Sequence, residues 1–137
     1  MKIDRSTRED EDQLEGQLEA FNQRVRPYPQ ATPQVFSYSI HDAAGALIGG
    51  IYAYASTYRV GYIDTLWVAP EARRRGLATA LLNRVEAEMT AFGCPVVHLE
   101  TFDYQAPAFY RACGYTEFGR LTYPEATELF MMKPLAG

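Results

Sequence analysis

The segment WVAPEARRRGLATALL, Trp67 to Leu82, joins two kinds of local order through a short basic loop. Upstream, GYIDTLWV (Gly61 to Val68) is an apolar-rich run bounded by Gly61 and Pro70, which predicts a strand. Downstream, Leu77, Leu81, Val85, Met89 and Phe92 recur at steps of four and three, the spacing of one helical face, and Gly93 stands where a helix cap is expected. Between them three consecutive arginines and Gly76 occupy the helix start, which is expected around Arg74 to Gly76. The first turn of a helix leaves N–H groups unpaired, and the helix dipole adds partial positive charge there. Gly76 removes the side chain that would hold an anion off the backbone. The arginines could also be a solvated helix start and the glycine a packing site. Cations beside the positive end of a helix are, however, unfavourable without an anion. The construction reads as an anion cradle. It is not a nucleotide P-loop, because GxxxxGK[ST] and an acidic strand partner for magnesium are both missing.

Working outward, VFSYSIHD (Val35 to Asp42) alternates like a strand, Asp42 to Gly45 is a turn, and Ala46 to Ser56 makes the return strand, with Gly49-Gly50 suggesting a bulge or a sharp bend. Short connections make these two and Gly61 to Val68 an antiparallel meander. Pro95 to Thr101 is a strand, parallel to its predecessor because a helix intervenes. Pro107 to Cys113 is a short helix closed by Gly114, and Thr116 to Leu121 and Glu128 to Lys133 are two last strands at a sheet edge, open to a homodimer contact. At the other end, Lys2 to Ser6 is a short strand candidate, and Thr7 with Asp10 caps a helix whose face is Leu14, Leu18, Phe21 and Val25. Pro27 and Pro29 stop that helix, and Arg26 to Pro33 is an irregular connection. The expected fold is α/β (α+β), with order βαβββαβαββ and a mixed central sheet of about six or seven strands.

At 137 residues, 47% hydrophobic and 22% charged, the chain suits a single domain over 1–137 and excludes disorder, collagen-like repeats and a disulfide-rich miniprotein. Thirteen Lys+Arg against seventeen Asp+Glu give a net charge of −4, which disfavours nonspecific binding to nucleic acid or an anionic membrane. Cys94 and Cys113 form no CxxC and have no His or Cys cluster around them, so two reduced thiols and no metal are expected. No apolar run is long enough to span a bilayer, and the charged amino terminus has no signal-peptide core; the expected location is cytoplasmic.

Arg73-Arg74-Arg75-Gly76-Leu77-Ala78 resembles the R/Q-x-x-G-x-G/A signature of the GNAT superfamily of acetyl-CoA-dependent N-acetyltransferases. Ile63 to Val68 with Ala69-Pro70-Glu71 is similar to that family's strand and loop before the signature. Ala108-Phe109-Tyr110-Arg111-Ala112-Cys113-Gly114-Tyr115 resembles its FY-x-x-x-G-F/Y block. The element order is the family's too, so the resemblance covers nearly the whole chain. It implies acetyl-CoA as co-substrate, no metal, and sheet strands that splay at the cofactor. The pyrophosphate would rest on main-chain N–H groups of the loop opened by Arg73, namely Arg74, Arg75, Gly76, Leu77, Ala78 and Thr79. Pantetheine would pair with the backbone of Leu66, Trp67 and Val68.

The chemistry implied is direct attack of an amine on the thioester. A lysine-like amine with pKa about 10.4 is neutral in roughly one molecule of 2,500 at pH 7, so deprotonation costs about 4.6 kcal/mol without help. Strand alternation puts Tyr62, Asp64, Leu66 and Val68 on one face, and Asp64 falls where relatives often carry a carboxylate acting through water. Glu100, beside His98 on its strand, is a second candidate base. Asp64 could also be a structural hydrogen-bond acceptor and His98 a half-exposed strand residue. Tyr110 matches the tyrosine usually assigned as general acid toward the leaving thiolate; the bland alternative is a core aromatic beside Phe109. Many relatives carry asparagine seven residues before that tyrosine, where this chain has Asp103. Gln105 or backbone takes over that cofactor contact, or Asp103 faces the acceptor.

For the acceptor, the resemblance points to the first helix, the connection after it and the final hairpin. These offer Phe21, Tyr28 and Tyr123, with Tyr62 nearby. Aromatic rings with carboxylates suit a small cationic amine. Three readings stay open: an acetyltransferase acting on such an amine or on protein lysine or amino-terminal amines, a non-catalytic acyl-CoA-binding module, and a nucleic-acid-binding domain using Arg73 to Arg75.

Overall fold

In the computed structural model, which describes residues 1–29 and 32–135, the meander forms as the alternation predicts. Strands β1 (Gln34–His41), β2 (Leu47–Ala55) and β3 (Gly61–Val68) pair antiparallel in sequence order. The β1–β2 turn closes through Asp42, whose Oδ1 accepts from the N–H of Ala44 and of Ala46, both at 2.9 Å. Helix α2 (Leu77–Phe92) crosses back to β4 (Val96–Phe102), which lies parallel to β3. Helix α3 (Pro107–Ala112) then leads to β5 (Thr116–Thr122) and β6 (Thr127–Pro134), both in antiparallel ladders. The sheet order is β1-β2-β3-β4-β6-β5, so β5 is an edge strand whereas β6, expected at the edge with it, is internal.

Four expectations are corrected. Lys2 to Ser6 is not a strand, so the sheet has the lower of the two expected strand numbers, six; Ile3 is that segment's only large apolar side chain and it stands 85% exposed, so nothing rewards ordering it. Helix α2 begins at Leu77, with a 3-10 turn at Pro70–Ala72 before it, so Arg73, Arg74 and Arg75 precede the helix. Gly49 and Gly50 themselves sit in register, and the extra residue on β2 is Ile48 just before them; Gly50 is needed for space, since a Cβ there would come 3.1 Å from the Tyr38 carbonyl oxygen. Another bulge lies on β3. Tyr52 pairs with Thr65 and Ala53 with Ile63, leaving Asp64 as the extra residue. It breaks the alternation: Ile63, Leu66 and Val68 oppose Ala53, Ile51 and Gly49 on one face, while Tyr62 opposes Tyr54 on the other. Tyr62 therefore does not share a face with Leu66 and Val68.

Helix α1 (Arg8–Val25) has the predicted capping box: Thr7 Oγ1 accepts from Asp10 N–H at 3.0 Å, and Asp10 Oδ2 accepts from Thr7 N–H at 2.9 Å. Its apolar stripe is not buried, however, and no residue of the helix is. Gln30 and Ala31 of the following connection lie outside the described residues.

The core forms where α2 lies on the sheet. Leu81, Leu82, Val85 and Met89 pack with Phe36, Ile51, Ala53, Ile63, Val97, Leu99 and Met131. Gly61 lets the helix approach, because a Cβ there would stand 2.6 Å from Met89 Sδ. α3 joins the same core through Tyr110, and Tyr115 follows it into the interior. One charge is carried inside: Glu86 of α2, 8% exposed, accepts from Tyr115 Oη at 2.8 Å and from Lys133 Nζ at 2.7 Å. The carboxylate thus ties α2 to the turn after α3 and to β6. Burial and Glu86 together hold the Tyr115 phenol far above its ordinary pKa. Replacing Glu86 by Ala strands an ammonium and a buried hydroxyl together. A loss of roughly 3 kcal/mol in urea unfolding is expected, with a smaller loss for Glu86→Gln; a change within about 0.5 kcal/mol for Glu86→Ala would contradict the network's role.

Candidate active site

β3 and β4 are paired only at Gly61–Val97 and Tyr62–His98. Beyond those residues the strands part, and a cleft of about 860 Å³ opens between them. Its walls are Ile63 to Val68 of β3 and Leu99 to Thr101 of β4, with the basic loop at one end and α3 at the other side. The edges of β3 and β4 that face each other here have lost their mutual ladder, so main-chain donors and acceptors are presented to whatever enters.

The loop is shaped for an anion by its backbone. Arg74 has φ of 63° and Gly76 of 74°, both left-handed, and space is open where a Gly76 Cβ would stand. The first helical hydrogen bond runs from Ala80 N–H to Gly76 C=O, so the N–H groups of Leu77, Ala78 and Thr79 precede the ladder at the positive end of α2. Such a concavity of N–H groups binds phosphates in many folds. The arginine side chains partly turn away: Arg73 Nε donates to the Val68 carbonyl at 3.1 Å, and Arg75 Nε to that of Ala72 at 3.5 Å. Arg73, Arg74, Gly76, Leu77, Ala78 and Thr79 border the cleft together with Leu66, Trp67 and Val68; Arg75 does not.

Three side chains expected to do chemistry, Asp64, Glu100 and Tyr110, border this one cleft. Asp64 is exposed at the bulge and accepts from Thr65 Oγ1 at 2.9 Å. Glu100 accepts a hydrogen bond from Tyr62 Oη, and the Tyr62 ring lies between Tyr54 at 5.4 Å and His98 at 4.9 Å. Burial first, then the Glu100 contact, raises the Tyr62 phenol's pKa. Tyr110 is 8% exposed, packed edge-on against Phe109 and Tyr115, and its hydroxyl has no partner among the described residues. Burial, with a smaller effect of Cys113, pushes this phenol up to about 12.

Other expected residues fall elsewhere. Gln105 borders the cleft, but its side-chain oxygen already accepts from Phe102 N–H at 2.7 Å, fixing the turn after β4. Asp103 is exposed outside the cleft wall, its N–H bonded to the Thr127 carbonyl. Of the four acceptor candidates, none borders the cleft itself. Tyr62 reaches it through Glu100. Phe21 is half-exposed on α1 under the Arg24 guanidinium, and Tyr28 packs on Tyr58 at 5.1 Å. Tyr123 donates to Glu128 and touches Phe102, which stacks on Tyr104 at 5.5 Å. Sequence reasoning missed Tyr104, which does border the cleft and is 72% exposed. An aromatic in the polar turn TFDYQAP was the available signal. Phe109, read as a core neighbour of Tyr110, also borders the cleft.

Both cysteines are free thiols, and among the described residues no group of three or more His, Cys, Asp or Glu is placed to hold a metal. No helix is long and apolar enough to cross a membrane, again among the described residues.

A profile of the acetyltransferase (GNAT) family matches residues 3–115. Blasticidin-S acetyltransferase of Streptomyces morookaense is 36% identical over 94 residues, which are 67% of this chain and 68% of that protein. An acetyltransferase from Bacillus cereus ATCC 14579 superposes with a TM-score of 0.88 at 27% identity, covering 98% of both chains. An acetyltransferase structure from Bacillus anthracis str. Ames, in complex with acetyl coenzyme A, shares the fold at 20% identity and a TM-score of 0.66, covering 77% of this chain and 65% of that one. The match over residues 3–115 and the blasticidin-S relative, on a sheet that parts at β3 and β4, place the chain in the acetyltransferase (GNAT) family, and it is an acyltransferase that uses acetyl-CoA.

Proposed function

We propose that the protein moves the acetyl group of acetyl-CoA onto the primary amine of a small cationic molecule. The observation that carries this reading is the convergence of Asp64, Glu100 and Tyr110 on the cleft where β3 and β4 part. In this reading the N–H groups from Gly76 to Thr79 take the pyrophosphate. The free edge of Leu66 to Val68 takes the pantetheine, which directs the thioester toward Asp64 and Tyr110. The similarity to a blasticidin-S acetyltransferase supports a small-molecule acceptor. The carboxylates of Asp64 and Glu100 and the ring of Tyr62 would hold a cation by charge and by its attraction to an aromatic face.

Acetyl-CoA supplies an activated carbonyl and a thiolate leaving group; the residues manage the protons. Asp64 at the bulge, or Glu100 held by Tyr62, removes the proton that would keep the amine unreactive. Tyr110 faces the leaving sulfur. A phenol pushed up to about 12 would protonate a thiolate of ordinary pKa near 8.5 at a cost of roughly 5 kcal/mol. Tyr110 therefore acts as a hydrogen-bond donor to the developing charge, and its burial keeps it protonated across the working range.

Thiol release from acetyl-CoA with a panel of small amines tests the reaction: release with at least one cationic amine is expected, and binding without release to any acceptor would make the chain a cofactor-binding module. Tyr110→Phe should lower kcat about 10- to 100-fold and leave KM for acetyl-CoA near its original value. Because the raised phenol ionises only near pH 12, wild-type kcat should show no alkaline fall from Tyr110 below about pH 11. The acid limb of kcat/KM should flatten in whichever of Asp64→Asn and Glu100→Gln removes the base; unchanged profiles in both would refute the assignment. Gly76→Ala forces a left-handed alanine into the loop at about 1–2 kcal/mol, and calorimetry should show acetyl-CoA binding weakened roughly tenfold.

A further inference from the structure

Among the described residues two apolar surfaces lack partners, and they are of matching kinds. One is the stripe of α1, where Leu14, Leu18, Phe21 and Val25 are 66%, 61%, 50% and 52% exposed. The other is the sheet face opposite α2. Register carries one row of side chains across all six strands: Val35, Tyr54, Tyr62, His98, Met132 and Thr116. Val35 is 49% exposed and Tyr52, in the next row, 45%; Tyr54, Tyr62, His98 and Met132 are only half-buried. α2 and α3 both pack on the other side, so this face is open.

The exposed area is too large for a lone domain. A folded monomer of 15.4 kDa is expected to expose roughly 7,200 Å². This chain exposes 9437 Å², an excess of roughly 2,200 Å². An obligate homodimer buries about 2,000–5,000 Å² in total, which two such chains would supply by covering their excess. The dimensions agree as well: 18 helical residues run roughly 27 Å, and six strands side by side span roughly 24 Å. Among the described residues the helix is fastened at its far end, where Tyr58 Oη donates to the Arg26 carbonyl at 3.0 Å and the Tyr58 ring meets Tyr28. It is thus an arm held at its base with its apolar stripe outward.

We infer that the occupant of the open sheet face is α1 of a second copy of this chain, exchanged reciprocally about a twofold axis. An isologous contact of this kind needs both complementary patches on the same protomer, and both are present. Because the covered row includes Tyr62, whose hydroxyl holds Glu100, the exchanged helix would also close the acceptor side of the cleft. The inference concerns assembly and stands apart from the reaction proposed above.

Sedimentation velocity with light scattering on the full chain tests it, with no substrate present. Wild type should run at twice the 15.4 kDa chain mass. Leu18→Glu on the stripe and Tyr52→Glu on the sheet face should each halve the mass while the far-UV circular dichroism stays that of wild type. Leu18 is exposed within one chain, so its replacement does not threaten the fold; if Tyr52→Glu fails to fold, Val35→Glu in the adjacent row takes its place. A monomeric wild type, as when α1 folds back on its own sheet or another protein covers it, would overturn the inference. So would a dimer that survives either class of substitution, since pairing through the β5 edge or through α1 alone predicts that.

Discussion

β3 and β4 share only two paired positions, and the rest of the site depends on that brevity. Parallel neighbours normally hold each other along their length, and ending the ladder leaves polar backbone uncovered. Here the cost is met from both sides. β3 keeps its ladder to β2 through the bulge at Asp64, and β4 keeps its ladder to β6 along its whole length. α3 fills the space below the opening with Tyr110 and Phe109, so the sheet parts without losing its core. The Glu86 carboxylate, joining α2 to Tyr115 and Lys133, fastens the helix that presents the loop to the half of the sheet beyond the gap.

Much of this was legible in the residues. The stripe of α2 predicts its buried face, and Leu81, Val85 and Met89 are buried on it. Thr7 and Asp10 predict a helix start that the capping box forms. The basic loop with Gly76 predicts a special backbone, and Arg74 and Gly76 are both left-handed there. What was not legible depends on two segments at once. A bulge at Asp64 is a property of how β3 pairs with β2, and nothing within GYIDTLWV distinguishes a bulged strand from a regular one. It reversed the faces assigned to Leu66 and Val68 while leaving Asp64 at the cleft.

α1 and α2 give the sharper lesson. Both carry an apolar stripe at the same spacing, yet one is buried and the other is not. Periodicity reports which side of a helix wants a partner, and it is silent about which molecule supplies one. Phe21 and Tyr28 were placed at the acceptor by resemblance alone, and in the single chain neither reaches the cleft. Tyr104 shows the converse: a turn aromatic with no periodic signal stands at the opening because the β4–α3 turn, pinned by Gln105, projects it there.

In the proposed reaction acetyl-CoA lies in the cleft with its phosphates on backbone N–H groups of the loop and its pantetheine along β3. Amide hydrogen exchange of the full chain with and without acetyl-CoA reads those groups directly. New protection is expected at Gly76 to Thr79 and at Leu66 to Val68, with β5 and β1 unchanged. Binding that leaves the loop amides exchanging as before, or that protects a different part of the sheet, would contradict it.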